Sequence, residues 1–167
     1  MPVTIKTTTK VYPPTSLDCD FECNCICQWQ NDATGQFTWT VNKGSTQTIL
    51  TGPSFDHTTN SASGYYIYIK ATEQKANDTA RITSQYVNIN RNGGCLKFFY
   101  HMYGPNIYQL NIYDEPASIR KPIWQKQGNK GDKWLFGNVF VENPSQNNMR
   151  FIFEGVVRIL CTFVFVC

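Results

Sequence analysis

A chain of 167 residues with 41% hydrophobic and 14% aromatic content is long enough to bury a core as one domain. Charged residues make up 16%, below the usual quarter or so, which excludes a charge-rich disordered chain. The net charge is +3 and no dense run of Lys or Arg occurs, so a nucleic-acid partner is excluded too.

In chain order, residues 1–17 carry Thr7-Thr8-Thr9, Pro13-Pro14 and Thr15-Ser16. Thr, Ser and Pro in this density build no core and read as a linker. A domain then runs over residues 18–156, and residues 157–167 form an atypical apolar tail. Phe37 to Val41 alternates apolar and polar, the period of a half-buried strand. Tyr65 to Ala71 and Arg81 to Val87 are further strands. Cys95 to Tyr103 puts Leu96, Phe98, Tyr100 and Met102 on one face. Tyr108 to Tyr113 puts Leu110 and Ile112 on one face, with Gln109 and Asn111 opposite. Ile123-Trp124, Trp134 to Val141 and Arg150 to Phe153 continue the series. Gly52-Pro53, Asn92-Gly93-Gly94, Gly104-Pro105 and Gly128-Asn129 supply turns between them. No segment holds apolar residues at helical spacing. Many short strands with regular turns predict an all-β, antiparallel β-sandwich.

Seven cysteines stand out, with Cys19, Cys23, Cys25 and Cys27 crowded together and Cys95, Cys161 and Cys167 apart. Structural zinc would want paired C-x-x-C knuckles, often with His; His57 and His101 lie in other segments. Disulfides in an oxidising compartment are the preferred reading. Asn77-Asp78-Thr79 is a glycan acceptor on the same export route. The opening decapeptide is polar and is no signal peptide, so the chain reads as part of a longer precursor. No stretch reaches the roughly 20 apolar residues of a membrane span.

Catalytic constellations are thin. Ser54, Asp56 and His57 are close in sequence, but triad members come from separate segments, so adjacency lends no support. A loop whose polar side chains satisfy backbone groups is the preferred reading. Gly128-x-x-Gly131 lacks the spacing of a phosphate loop. Asp18, Asp20 and Glu22 would share one face of a strand. Two readings stand there: a calcium site, since oxygen ligands suit that cation, or a solvated acidic edge.

Taken together, Cys19-Asp20-Phe21-Glu22, Cys27-Gln28-Trp29-Gln30, Phe37-Thr38-Trp39 and Gly52-Pro53-Ser54-Phe55-Asp56-His57 resemble the opening of a MAM domain. This is the module of meprins, neuropilins and mu-type receptor tyrosine phosphatases. The likeness continues through Gly64-Tyr65-Tyr66-Ile67, Ala80-Arg81-Ile82, Cys95 to Gly104 and Leu110 to Tyr113, and closes on Gly128 to Trp134 and Phe151-Ile152-Phe153-Glu154-Gly155. The resemblance implies a sandwich of jelly-roll type, concanavalin A-like. It implies a non-catalytic extracellular adhesion module of a larger secreted or cell-surface protein, not an enzyme. Its partners would be proteins, homophilic or heterophilic, with a homodimer as one form. It implies bridges of Cys19 with Cys27 and of Cys95 with a late cysteine, Cys161. It places calcium, where any cofactor is needed, on Glu22 and Asp56, with Asp20 beside them.

The resemblance ends after Gly155. Family members continue into a Gly-rich turn and an acidic last strand, whereas Val156 to Cys167 contains no acid. The C-terminal strand is therefore expected to be incomplete, although Thr162 to Val166 is β-prone. Two other functions are weighed against adhesion. A lectin-like carbohydrate-binding domain would need exposed aromatic platforms, and most aromatics here alternate inward. A regulatory appendage of a membrane metalloprotease would need its protease elsewhere, because no His-Glu-x-x-His occurs.

Overall fold

A computed structural model describes residues 16–72, 74–105, 107–115, 121–158 and 165–166. Most of the linker, Cys161 and Cys167 lie outside these. The elements are β1 (Gln30–Asn31), β2 (Trp39–Lys43), β3 (Tyr65–Ile69), β4 (Thr79–Thr83), β5 (Val87–Asn88), β6 (Gly94–His101), β7 (Ile107–Glu115), β8 (Trp124–Gln127), β9 (Trp134–Val141), β10 (Asn148–Val157) and β11 (Phe165–Val166). They form two antiparallel sheets. One runs β1-β4-β10-β7-β8, with β5 added on β10; the other runs β2-β3-β11-β6-β9.

Alternation decides which side chains meet between the sheets. Ile82 of β4, Leu110 and Ile112 of β7 and Phe153 of β10 face Ile67 and Ile69 of β3 and Phe98 and Tyr100 of β6 in one core. Trp39 is 1% exposed, and its indole N–H donates to the Ala80 carbonyl at 3.1 Å, tying β2 to the opposite sheet. Gly155 makes that contact possible. A Cβ there would lie 2.6 Å from the Ile69 Cδ1 and 3.3 Å from the Trp39 Cζ2. Gly137 does the same for Phe98, whose ring atoms would lie 2.3 Å from an added Cβ.

The jelly-roll-type sandwich is present, with three differences in its elements. The Arg81 to Val87 strand is broken into β4 and β5, because the Ser84 hydroxyl accepts the Phe151 amide at 2.9 Å and interrupts the ladder. β10 extends well beyond Arg150 to Phe153, since Ile152 and Val156 on its outer side are buried as well and the alternation is lost. The strand foreseen over Asp18 to Glu22 does not form. Phe21 turns there with φ 59°, and bridges within the segment hold it in a loop. In the tail, β11 pairs with Tyr68 and Ile67 on one side and with His101 and Tyr100 on the other.

Candidate functional site

The entry loop is cross-linked twice. Cys19 bonds Cys27, and Cys23 bonds Cys25 inside that ring. Cys95 is a free, exposed thiol on β6, and its expected partner Cys161 lies outside the described residues.

The same loop carries the acids. The Glu22 Oε1 accepts the Tyr65 amide at 2.9 Å, which fastens the loop to the start of β3. Partial burial pushes the Glu22 carboxyl up, the Tyr65 amide opposes this, and the Asp56 and Asp20 charges push it further up. Asp56 and Asp20 thus lie near enough for their charges to act on Glu22, through a loop and not along a strand face, while among the described residues the side chains whose ligand atoms gather within 4.8 Å are Cys23, Cys25 and Cys27. Asp18 stands apart, exposed.

Asp56 is fully buried and organises its own loop. Its Oδ2 accepts the Thr59 amide at 2.6 Å; its Oδ1 accepts the Thr59 hydroxyl at 2.6 Å and the Ser61 amide at 3.0 Å. Burial raises this carboxyl, but the hydrogen bonds from Thr59, Ser61 and Thr58 outweigh it and hold it below the usual carboxylate range. Gly64 admits the carboxylate: a Cβ there would lie 2.2 Å from the Asp56 Oδ1. His57 turns away and stacks on Phe99, with ring centroids 3.4 Å apart. Ser54 is exposed. Ser54, Asp56 and His57 thus act as loop residues.

Between the entry loop and β6 lies a cavity of about 710 Å³. Asp18, Cys19 and Asp20 form one wall, Cys95, Lys97 and Phe99 another, and Ile67, Ile82 and Phe153 its floor. Beside its mouth, the outer face of the β6–β9 pair is aromatic. Phe99 pairs across the ladder with Phe136, ring centroids 5.3 Å apart, and Cys95 pairs with Phe140. Phe136 is 55% exposed and Phe140 57%. At the tip of the β2–β3 loop, Ile49 and Leu50 are also exposed.

The outer face of the other sheet is a polar ladder. Glu154 of β10, 5% exposed, accepts the Arg81 Nε–H at 2.7 Å on one side and the Asn111 amide at 2.9 Å on the other. The Tyr113 hydroxyl donates to the same carboxylate at 2.9 Å, and the Gln125 side-chain amide donates to the Asn111 Oδ1 at 2.7 Å. Burial, with the Glu154 charge behind it, pushes the Tyr113 phenol up to about 12. Sequence reasoning missed this ladder, and it missed the aromatic exposure on β9.

The architecture defines a disulfide-held, all-β sandwich of the kind found in extracellular modules. The chain belongs to the MAM domain family (meprin/A5/mu), whose model matches residues 19–161. It is 35% identical over 154 residues to MAM domain-containing glycosylphosphatidylinositol anchor protein 1 of Gallus gallus, covering 87% of this chain and 16% of that one. It is 32% identical to MAM domain-containing protein 2 of Homo sapiens, covering 86% of this chain and 21% of that one. To neuropilin-1 of Xenopus laevis it is 33% identical, covering 84% and 15% respectively. The chain thus spans about a fifth or less of these relatives. Among solved structures, a cleaved adhesin domain of Lys-gingipain from Porphyromonas gingivalis superposes with a TM-score of 0.60 at 12% identity, over 88% of this chain and 91% of that one. TmCBM61 in complex with β-1,4-galactotriose gives 0.58 at 10% identity, over 93% and 94%. These two likenesses concern the fold alone. The domain is extracellular, in keeping with its glycosylphosphatidylinositol anchor relative and its two bridges. Among the described residues no helix is long and apolar enough to cross a membrane.

Proposed function

We propose that this domain is a non-catalytic adhesion module that binds protein through the outer face of its five-stranded sheet. The exposure of Phe136 and Phe140 beside the His57–Phe99 stack carries this reading. Aromatic side chains are enriched at protein interfaces because they bury much area at small entropic cost. The preferred partner is a second copy, since a twofold axis would bring one aromatic face against another. Beads coated with the domain should cluster. Beads that stay dispersed, with a monomer in sedimentation, would leave only binding to unlike proteins.

Calcium belongs to the same proposal as a structural aid. Glu22 and Asp20 supply the oxygen ligands that suit a hard cation, which would relieve both the burial that chiefly raises the Glu22 carboxyl and the smaller push from the Asp56 and Asp20 charges. Asp56 already spends both oxygens on its loop and would add charge more than a free ligand. Melting should rise when calcium replaces chelator and should not respond in Glu22→Gln. An unchanged curve for the parent domain sinks the cation site. Asn77 is exposed at a turn with φ 69°, which suits a glycan acceptor. Glycosidase treatment of protein secreted from animal cells should remove mass at that asparagine; an unmodified peptide there counts against it.

A further inference from the structure

The four cysteines of the entry loop are more than two staples. The Sγ atoms of Cys23, Cys25 and Cys27 all lie within 4.8 Å of one another, although Cys27 is bonded to Cys19 and not to either of them. The two disulfides are therefore within reach of each other. The backbone around them is held in unusual conformations, with Phe21 at φ 59°, Asn24 at 55° and Cys27 at 51°. Left-handed backbone is costly for residues such as Phe and Cys and persists only where the surroundings enforce it. Cys23 and Cys25 are both exposed, and what distinguishes them is the Cys27 amide, which donates to the Cys25 Sγ at 3.3 Å.

We infer that this loop is a thiol–disulfide exchange site, in which an external thiolate enters at Cys23 and the exchange passes to Cys19. The external thiolate attacks the exposed Cys23 sulfur. A mixed disulfide forms there, the Cys23–Cys25 bond breaks, and its electron pair leaves on Cys25. The Cys27 amide stabilises that new thiolate, which makes Cys25 the better leaving group of the two. The Cys25 thiolate then attacks the Cys27 sulfur close by. A Cys25–Cys27 bond forms, the Cys19–Cys27 bond breaks, and Cys19 leaves as the thiolate. Each step exchanges one sulfur–sulfur bond for another, so the external thiol is the only co-reactant.

The structural consequence follows from what Cys19 holds. It lines the cavity opposite β6 together with Asp18 and Asp20. Freed from Cys27, the Asp18–Asp20 stretch loses its covalent clip to the sandwich while Phe21 stays anchored in the core. One wall of the cavity would then open in response to the thiol level outside the cell.

The test uses the full chain carrying Cys95→Ser, so that the free thiol on β6 takes no part. Reduced glutathione is the probe, exchange is stopped with an alkylating agent, and the peptides are mapped by mass spectrometry. The expected early product carries glutathione on Cys23 and alkyl label on Cys19, with Cys25 linked to Cys27. Label on Cys25 with Cys19–Cys27 intact would overturn the relay, as would entry at Cys19 or Cys27 ahead of Cys23. In Cys23→Ser/Cys25→Ser, label at Cys19 should appear roughly tenfold more slowly or less. An unchanged rate in that variant, with its near-ultraviolet dichroism intact, would also overturn it.

Discussion

The two sheets share one core, yet their outer faces are built on opposite plans. On the β4–β10–β7–β8 side, Arg81, Glu154, Asn111 and Gln125 form one hydrogen-bonded row, and each register partner satisfies the next. On the β6–β9 side, Phe136 and Phe140 stand exposed with no such cover. The first face is closed on itself and stabilises the fold. The second leaves apolar area in water, which costs the isolated domain and favours association. A jelly-roll sandwich needs only its inner faces to fold, so the outer faces are free to diverge.

The sharpest way to break this contrast is at Glu154. Replacing it with Ala leaves the Arg81 guanidinium without its carboxylate and strips the acceptor from Asn111 and Tyr113. Removing one partner of a buried pair typically costs about 3–5 kcal/mol. Arg81 is 22% exposed, so solvent screening favours the lower end of that range. Denaturant unfolding should show the loss; a change within about 0.5 kcal/mol would mean the ladder is ornament.

A smaller effect is expected from His101, which sits on the aromatic face beneath Trp134 with ring centroids 5.4 Å apart. Burial lowers its pKa, against the Asp132 carboxylate 3.1 Å from Nε2, which raises it. The folded value lies below the unfolded one, so the fold prefers the neutral ring. That contribution is fully present above about pH 6.5 and is lost as pH falls toward the folded value. The same sign holds for His57, which burial also lowers against the Asp56 charge. Melting temperature should therefore fall as pH drops from neutrality to about 5. In His101→Phe that slope should shrink, and a slope unchanged from the parent domain would remove His101 as its source.

The strands were legible because alternation is a local signal. Trp134 to Val141 is found as β9 with its bounds unchanged, and the inward sets of β6 and β7 are those the period of two picks out. The polar ladder was not legible, since Arg81 and Glu154 are far apart in the chain and only strand register makes them neighbours. Glu22, Asp56 and Asp20 could be grouped through family resemblance, but their route together could not. It depends on left-handed backbone at Phe21 and on a Cys23–Cys25 bond that spacing leaves open. The exposure of Phe136 and Phe140 was hidden by the same alternation that found β9. Period alone separates two faces without saying which one is covered.

The smallest expected change in stability belongs to the boldest claim. Phe136→Ser/Phe140→Ser alters only exposed positions, so unfolding free energy should move by no more than about 0.5 kcal/mol per site. Bead aggregation by this variant, run beside the parent domain and Glu154→Gln, tests the account most directly. Clustering by the parent and by Glu154→Gln, with the double variant folded but dispersed, is the predicted result. A folded double variant that clusters as well as the parent would contradict it.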